Sequence, residues 1–273
     1  MAPSPTHLAM RAYQRGRMLR ARLGRASDWT GVRILGYHRI APAGDDLSVH
    51  PDAFRAQMEQ VLETGLRPVR LDRALEMLEQ PVTGRWVCVT FDDGYRDNLL
   101  EALPVLEDLG IPATIFVPTA VIDGEATYDW YEDPPPALSW SEIAGIVAGG
   151  LVDVQAHTRT HRRLPHVDDD AAREEIAGAK RDLERHVPYE VTSLCYPAGL
   201  FGERDARLVR EAGYRGAVTT RPGVNPGGAP LERLRRTLVY WGDDAARFAA
   251  KLDGRLDAPP LGRGWLYRRL SRG

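Results

Sequence analysis

Residues 86–95 read W-V-C-V-T-F-D-D-G-Y, and the run changes character in its middle. Residues 86–91 are apolar, aromatic or β-branched, which predicts a buried strand. Asp92 and Asp93 follow at once, and Gly94 comes after them. Adjacent carboxylates at a strand end point in different directions, so one can ligate a cation while the other serves as a base. Gly94 allows the sharp turn or close backbone approach that such an end requires. Taken alone, an Asp-Asp-Gly turn is more often structural than functional, so its meaning depends on its surroundings.

Six further runs share the form of residues 86–91: residues 32–37, 113–117, 151–155, 191–196, 216–219 and 237–240. Helical patterns lie between most of them. Residues 51–64 place Phe54, Met58, Val61 and Leu62 on one face, and residues 97–109 stop at Gly110 with Pro112 beyond. Residues 168–186 carry Ile176, Ala179 and Leu183 as an apolar stripe, and residues 203–212 close on Gly213. Strand-then-helix repetition implies parallel strands joined by right-handed crossovers. The fold class is therefore α/β, a distorted or incomplete (β/α) barrel of about seven parallel strands, with an open sheet the alternative that periodicity leaves standing. In both arrangements function gathers at the C-terminal ends of the strands.

Those ends hold further chemistry. Residues 156–161 read A-H-T-R-T-H, so His157 and His161 lie four apart after a strand, near enough to share a cation. With Asp93 they form a two-histidine, one-carboxylate set that leaves positions open for water and substrate. His38 closes the first strand in G-Y-H-R-I, where a structural and a catalytic role weigh equally. Tyr196, Pro197 and Gly199 end a later strand and are placed to shape a cleft and offer a backbone N–H to an oxyanion. Residues 122–140 break the rhythm with Tyr128, Trp130, Tyr131, Trp140 and three consecutive prolines. This segment reads as a wall of a sugar cleft or, equally, as a loop folded on its own aromatics.

Composition narrows the classes. A formal net charge of -2 gives no general reason to expect a nucleic-acid partner. No glycine-rich phosphate loop and no G-x-S-x-G elbow is present, against nucleotide-driven chemistry and serine hydrolysis. The two cysteines, Cys88 and Cys195, sit in apolar runs and read as buried, reduced thiols.

T-F-D-D-G-Y (residues 90–95) followed by H-T-R-T-H (residues 157–161) resembles the polysaccharide deacetylase, or NodB-homology, family of carbohydrate esterases. C-Y-P-A-G (195–199), E-A-G-Y (211–214) and A-V-T-T-R-P-G (217–223) continue the likeness, which covers residues 32–252. G-Y-H-R-I (36–40) is similar to the subgroup that includes poly-N-acetylglucosamine deacetylases. The resemblance implies a metal-dependent hydrolase that removes N-acetyl groups from an N-acetylated sugar or polysaccharide and releases acetate. An O-acetyl carbohydrate esterase and a catalytically degenerate glycan-binding member are the alternatives. It implies Asp92 as general base, and Asp93, His157 and His161 as ligands of a divalent metal ion, Zn2+ first and Ni2+ or Co2+ after it. His38 becomes the general acid, the Tyr196 backbone an oxyanion donor, and Arg236 the side chain that orients Asp92. Tyr95, Pro197, Trp130 and Trp140 are the candidates for contact with the glycan. The arginine that many members carry before the proline of the third motif is missing, and Leu194 and Cys195 stand there instead.

The expected division is a basic extension over residues 1–30, a catalytic domain over 31–255 and a tail over 256–273. Arg11, Arg15, Arg17, Arg20, Arg22 and Arg25 interleave with apolar residues in the extension. A solvated basic arm and an amphipathic helix on an anionic membrane both fit this pattern. No apolar stretch there suits a secretory signal. The expectation is cytoplasmic, with peripheral contact at the inner membrane face as the second option and an intracellular, lipid-linked or small sugar favoured as substrate.

Overall fold

A computed structural model describes residue 26, residues 28–42 and residues 45–257. The basic run over residues 11–25, and with it the amphipathic-helix option, lies outside the described residues, as does most of the expected tail. Trp29, assigned to the extension, is buried in the core.

The seven expected strands are all present as elements of one sheet: β1 (Gly31–Tyr37), β5 (Arg85–Phe91), β6 (Ala113–Val117), β7 (Val152–Ala156), β8 (Ser193–Cys195), β9 (Gly216–Val218) and β11 (Thr237–Leu238). Four further two-residue strands lie outside the apolar runs: β2 (Arg39–Ile40), β3 (Ser48–Val49), β4 (Arg67–Pro68) and β10 (Val224–Asn225). The main path runs β10-β1-β5-β6-β7-β8-β9, parallel throughout except where β10 meets β1. The sheet curls into an incomplete barrel. One short segment links its two flanks: Leu234 bridges Val218 at the end of β9, while Thr237 and Leu238 pair with Leu35 and Gly36 of β1. Arg236 lies between those two attachments, which sends its side chain inward.

β1, β6 and β7 are buried along their whole length, as parallel strands covered on both faces must be. Tyr37, Phe54 and Phe91 form an aromatic knot with ring centroids 5.2–5.8 Å apart. The helix Pro51–Glu63 buries Phe54, Met58 and Val61, but Leu62 is turned outward and Gln57 takes its place inside. Gln57 is drawn in because its Oε1 accepts from the buried Tyr37 hydroxyl at 2.9 Å. Three α-helices of eight residues or more are not expected from the sequence: Leu71–Leu78, Trp140–Gly149 and Ala245–Leu252. The second begins on a capping box, with Ser139 and Glu142 each satisfying the other's backbone N–H. No helix among the described residues is long and apolar enough to cross a membrane.

Candidate active site

The ends of β1, β5, β7 and β8 bring the predicted groups together. Asp92 follows β5 directly, and its N–H donates to the Tyr37 carbonyl at 2.9 Å, so the two strand ends are tied where His38 and Asp92 begin. His38 Nε2 stands 3.7 Å from Asp92 Oδ2. From beneath, Arg236 grips the same carboxylate with two parallel bonds, Nη1 to Oδ1 at 2.6 Å and Nη2 to Oδ2 at 2.7 Å. The guanidinium is fully buried and each of its three nitrogens donates. Its Nε donates to the Thr219 carbonyl at 3.2 Å, Nη1 also to Thr90 Oγ1 at 3.3 Å, and Nη2 also to Cys195 Sγ at 3.1 Å. Burial by itself would raise the Asp92 carboxyl, but the Arg236 guanidinium overrides it and holds the group far below the usual carboxylate range. Asp92 is thus a fixed anion.

Asp93 faces the histidines. Its backbone adopts φ 70, a left-handed conformation that is uncommon outside glycine, and Gly94 follows at φ 66. A Cβ on Gly94 would stand 2.8 Å from Val117 Cγ1, so the turn needs glycine for space as well as for φ. Asp93 Oδ1 lies 3.4 Å from His157 Nε2 and 3.5 Å from His161 Nε2. The oxygen is buried and has no hydrogen-bond partner. Two ligands on a tetrahedral zinc at about 2.0–2.1 Å stand about 3.3–3.4 Å from each other, so the orphaned oxygen and two nitrogens have the spacing of a donor set. His157 Nδ1 lies 2.8 Å from the Cys195 carbonyl, which can only accept. In its neutral form the ring carries its proton on Nδ1 and presents a bare Nε2. Against the cost of burial, the Cys195 and Asp93 contacts raise its pKa well above the usual value, so a cation binding there would displace a proton. Burial pushes the His161 imidazole down to about 4, keeping it neutral as a ligand must be. These residues fit a divalent cation.

The loop carrying the histidines is strained at Thr158 (φ 64) and His161 (φ 60). It is bonded on one side to the segment after β6, where Thr119 N–H reaches the Thr158 carbonyl and Ala120 N–H the Arg159 carbonyl. On the other side the Glu175 carboxylate takes the Arg159 and Thr160 amides between the histidines.

Not every candidate arrives at the cluster. Trp130 does: its ring centroid is 4.7 Å from that of His161, and it stays 40% exposed. Tyr95 is fully buried, packed on Tyr128 and Tyr131 and beneath Arg39, because residue 95 bridges Ala137 and is pulled under the loop. It offers no surface to a sugar, which corrects its assignment as a contact residue. Trp140 stacks on His186 at 3.8 Å and donates from Nε1 to Asp123 at 2.7 Å, and no bond or ring contact joins it to the cluster among the described residues. Its assignment rested on proximity in sequence, and the helix start at residue 140 redirects it. The aromatic loop folds largely on its own aromatics, Tyr128 and Tyr131 packing on Tyr95, while Trp130 is exposed beside His161.

Pro197 and the Tyr196 ring are buried, and the Tyr196 N–H is spent on the Val218 carbonyl at 3.2 Å. That N–H cannot serve an oxyanion. Two residues on, Ala198 is exposed, with a left-handed φ of 54. Asn98 was not among the candidates; its Nδ2 donates to the His38 carbonyl at 2.9 Å and steadies that histidine from β5's own loop. An amide three residues past a motif carries no signal that sets it apart from a turn residue. Cys88 and Cys195 are buried and unpaired, and burial raises both thiols, so neither is a nucleophile.

Residues 79–217, half of the chain, match the family model described as polysaccharide deacetylase. The chain belongs to the polysaccharide deacetylase family. Membership makes it a hydrolase of the carbohydrate deacetylase class. It is 28% identical over 222 residues to YxkH of Bacillus subtilis (strain 168), covering 81% of this chain and 75% of that one. It is 25% identical over 138 residues to the poly-beta-1,6-N-acetyl-D-glucosamine N-deacetylase of Escherichia coli (strain K12), covering 47% of this chain and a fifth (20%) of that protein. Among solved structures, a polysaccharide deacetylase from Bacillus cereus matches with a TM-score of 0.68 and 29% identity, over 81% of this chain and 69% of that one. The curled, mostly parallel sheet with its flanking helices is the fold these relatives share.

Proposed function

We propose that the chain is a metal-dependent carbohydrate de-N-acetylase, hydrolysing the acetamide of an N-acetylated glycan to acetate and a free amine. The observation that carries the reading is the orphaned Asp93 oxygen set 3.4 and 3.5 Å from two imidazole nitrogens, beside an aspartate locked by a buried arginine. Asp93, His157 and His161 would hold the ion, zinc before nickel or cobalt. A divalent cation in such a set supplies Lewis acidity and lowers the pKa of water.

The chain's own residues account for the proton movements. Water adds to the acetyl carbon and the C–N bond breaks; the proton lost by water passes to Asp92, and His38 delivers one to the departing nitrogen. Asp92 is suited to brief proton carriage because Arg236 keeps its resting state anionic. With the Tyr196 N–H bonded to Val218, the exposed Ala198 N–H would be the backbone donor to the oxyanion. Trp130, exposed beside His161, offers an apolar face to a sugar ring. The likeness to a poly-N-acetylglucosamine deacetylase supports an N-acetylglucosamine-type ring as the first substrate to try.

The test is acetate release from N-acetylated and O-acetylated oligosaccharides before and after chelation, with metal content measured on the same samples. About one divalent ion per chain and chelator-sensitive release from the N-acetyl substrate are expected. Full activity after the metal is stripped would sink the proposal, and release from the O-acetyl substrate alone would move it to an esterase.

A further inference from the structure

We infer that Glu175, remote in sequence from every motif, is the positioning residue that sets the second and third metal-ligand positions, by clamping the backbone between His157 and His161. This rests on the metal-site reading above.

The Glu175 carboxylate is 7% exposed and is aimed into the loop. Its Oε2 accepts from the Arg159 N–H at 3.0 Å and from the Thr160 N–H at 2.8 Å, and its Oε1 accepts from the Thr160 hydroxyl. Two successive backbone N–H groups converging on one oxygen form an anion-binding nest. The nest lies between two left-handed residues, Thr158 at φ 64 and His161 at φ 60. Such conformations cost energy and persist only where the surroundings over-determine them. Without the carboxylate, two amides would lose their acceptor and the loop would have little reason to keep both histidines turned toward Asp93.

The helix is shaped for this contact. Glu174–Gly178 form a π-helical turn between the α-helical stretches Asp169–Arg173 and Ala179–Leu183. Such a turn inserts one extra residue per turn and re-aims side chains, and it occurs often at functional sites. Gly178 lets the loop lie against it, since a Cβ there would come within 2.5 Å of Arg159 Cδ. Arg159 adds a second bolt, with Nε donating to Asp182 at 2.8 Å. The clamp therefore bonds backbone, which fixes where the ligands stand without touching either imidazole.

The experiment measures zinc affinity by competition with a chromophoric chelator for wild type, Glu175→Ala, Glu175→Gln and Thr160→Val, and amide hydrogen exchange at Arg159 and Thr160 in metal-free protein. Glu175→Ala is expected to weaken zinc binding about 10–100-fold, the usual range when an outer partner of a ligand is removed, and to speed exchange at both amides. Glu175→Gln keeps an acceptor oxygen and is expected to restore most of the affinity. Thr160→Val removes a single bond and gives a smaller loss, which carries the test should Glu175→Ala not fold. Zinc affinity within about twofold of wild type in the alanine and valine variants, well short of that range, overturns the inference, as does a glutamine variant no better than alanine. Wild type without any zinc affinity would overturn the metal reading instead, and the exchange rates would then still decide whether Glu175 holds the loop.

Discussion

Asp92 and Asp93 are neighbours in the chain with opposite surroundings. Asp92 is saturated by Arg236, whereas Asp93 is left with a bare, buried oxygen between two imidazoles. Burying an oxygen without a hydrogen bond is costly, and a cation held between Asp93 and the two imidazoles would offset that cost. Asp92→Asn is expected to retain its metal and to lose about 10²–10⁴-fold in kcat, the usual contribution of a positioned base. It should also lower stability by about 3 kcal/mol, since the Arg236 charge stays buried without a counter-ion. Metal analysis beside initial rates checks this, and activity within about tenfold of wild type, below the range of a positioned base, would show that Asp92 is not one. The residues legible in the sequence, Asp92, Asp93, His157, His161 and His38, all lie just past the end of a strand. Tyr95 was not legible because burial of a side chain under its own loop leaves no mark on spacing.

At the scale of elements, β1 and the segment around β11 are fitted to each other by glycine. A Cβ on Gly36 would meet Arg236 Cδ and Cζ at 3.2 Å and Leu238 Cδ2 at 2.6 Å. Gly36→Ala is expected to push the guanidinium off Asp92 and cost about 1–3 kcal/mol, as overpacking does, with activity falling alongside. An unchanged unfolding midpoint and rate would show that Arg236 has room to spare. On β7, Asp153 is fully buried and burial pushes its carboxyl up to about 6, although Thr114 and Gln155 donate to it. A carboxyl raised on folding stabilises below its unfolded value, near 3.8, and that stability is lost as pH rises through about 6. Unfolding free energy should thus fall by roughly 3 kcal/mol between about pH 4 and pH 7 on account of this group. Asp153→Asn should flatten that slope in urea denaturation, and parallel slopes for the two proteins would refute it. Strands and long helices were readable from period and stop signals, while the helix Trp140–Gly149 was hidden by the aromatic, proline-rich run that leads into it.

For the molecule as a whole, a fully buried arginine on β1 fixes how far the folded unit extends. Arg33 donates from Nη1 and Nη2 to the two carboxylate oxygens of Asp257, both at 2.8 Å, with Trp29 against the guanidinium. We propose that the catalytic unit runs from Trp29 at least to Asp257, slightly beyond the 31–255 span that periodicity suggested. Asp257→Ala should then cost about 3 kcal/mol by stranding the buried Arg33 charge. Thermal unfolding measures it, and a variant as stable as wild type would place Asp257 outside the unit.

What the sequence alone determined is local. Apolar runs define strands, strand ends define where polar side chains can gather, and the aspartate and histidine pairs sit at those ends, so the fold class and the candidate ligand set follow from the order of residues along the chain. The tertiary structure decided everything that depends on chain segments distant in sequence. Arg236 reaches Asp92 because residues 234–238 span β9 and β1, and Glu175 reaches the histidine loop because a π-helical turn aims it there. Both contacts join residues that no spacing relates: the curling of the sheet sets the first distance, and the packing of the helix against the loop after β7 sets the second.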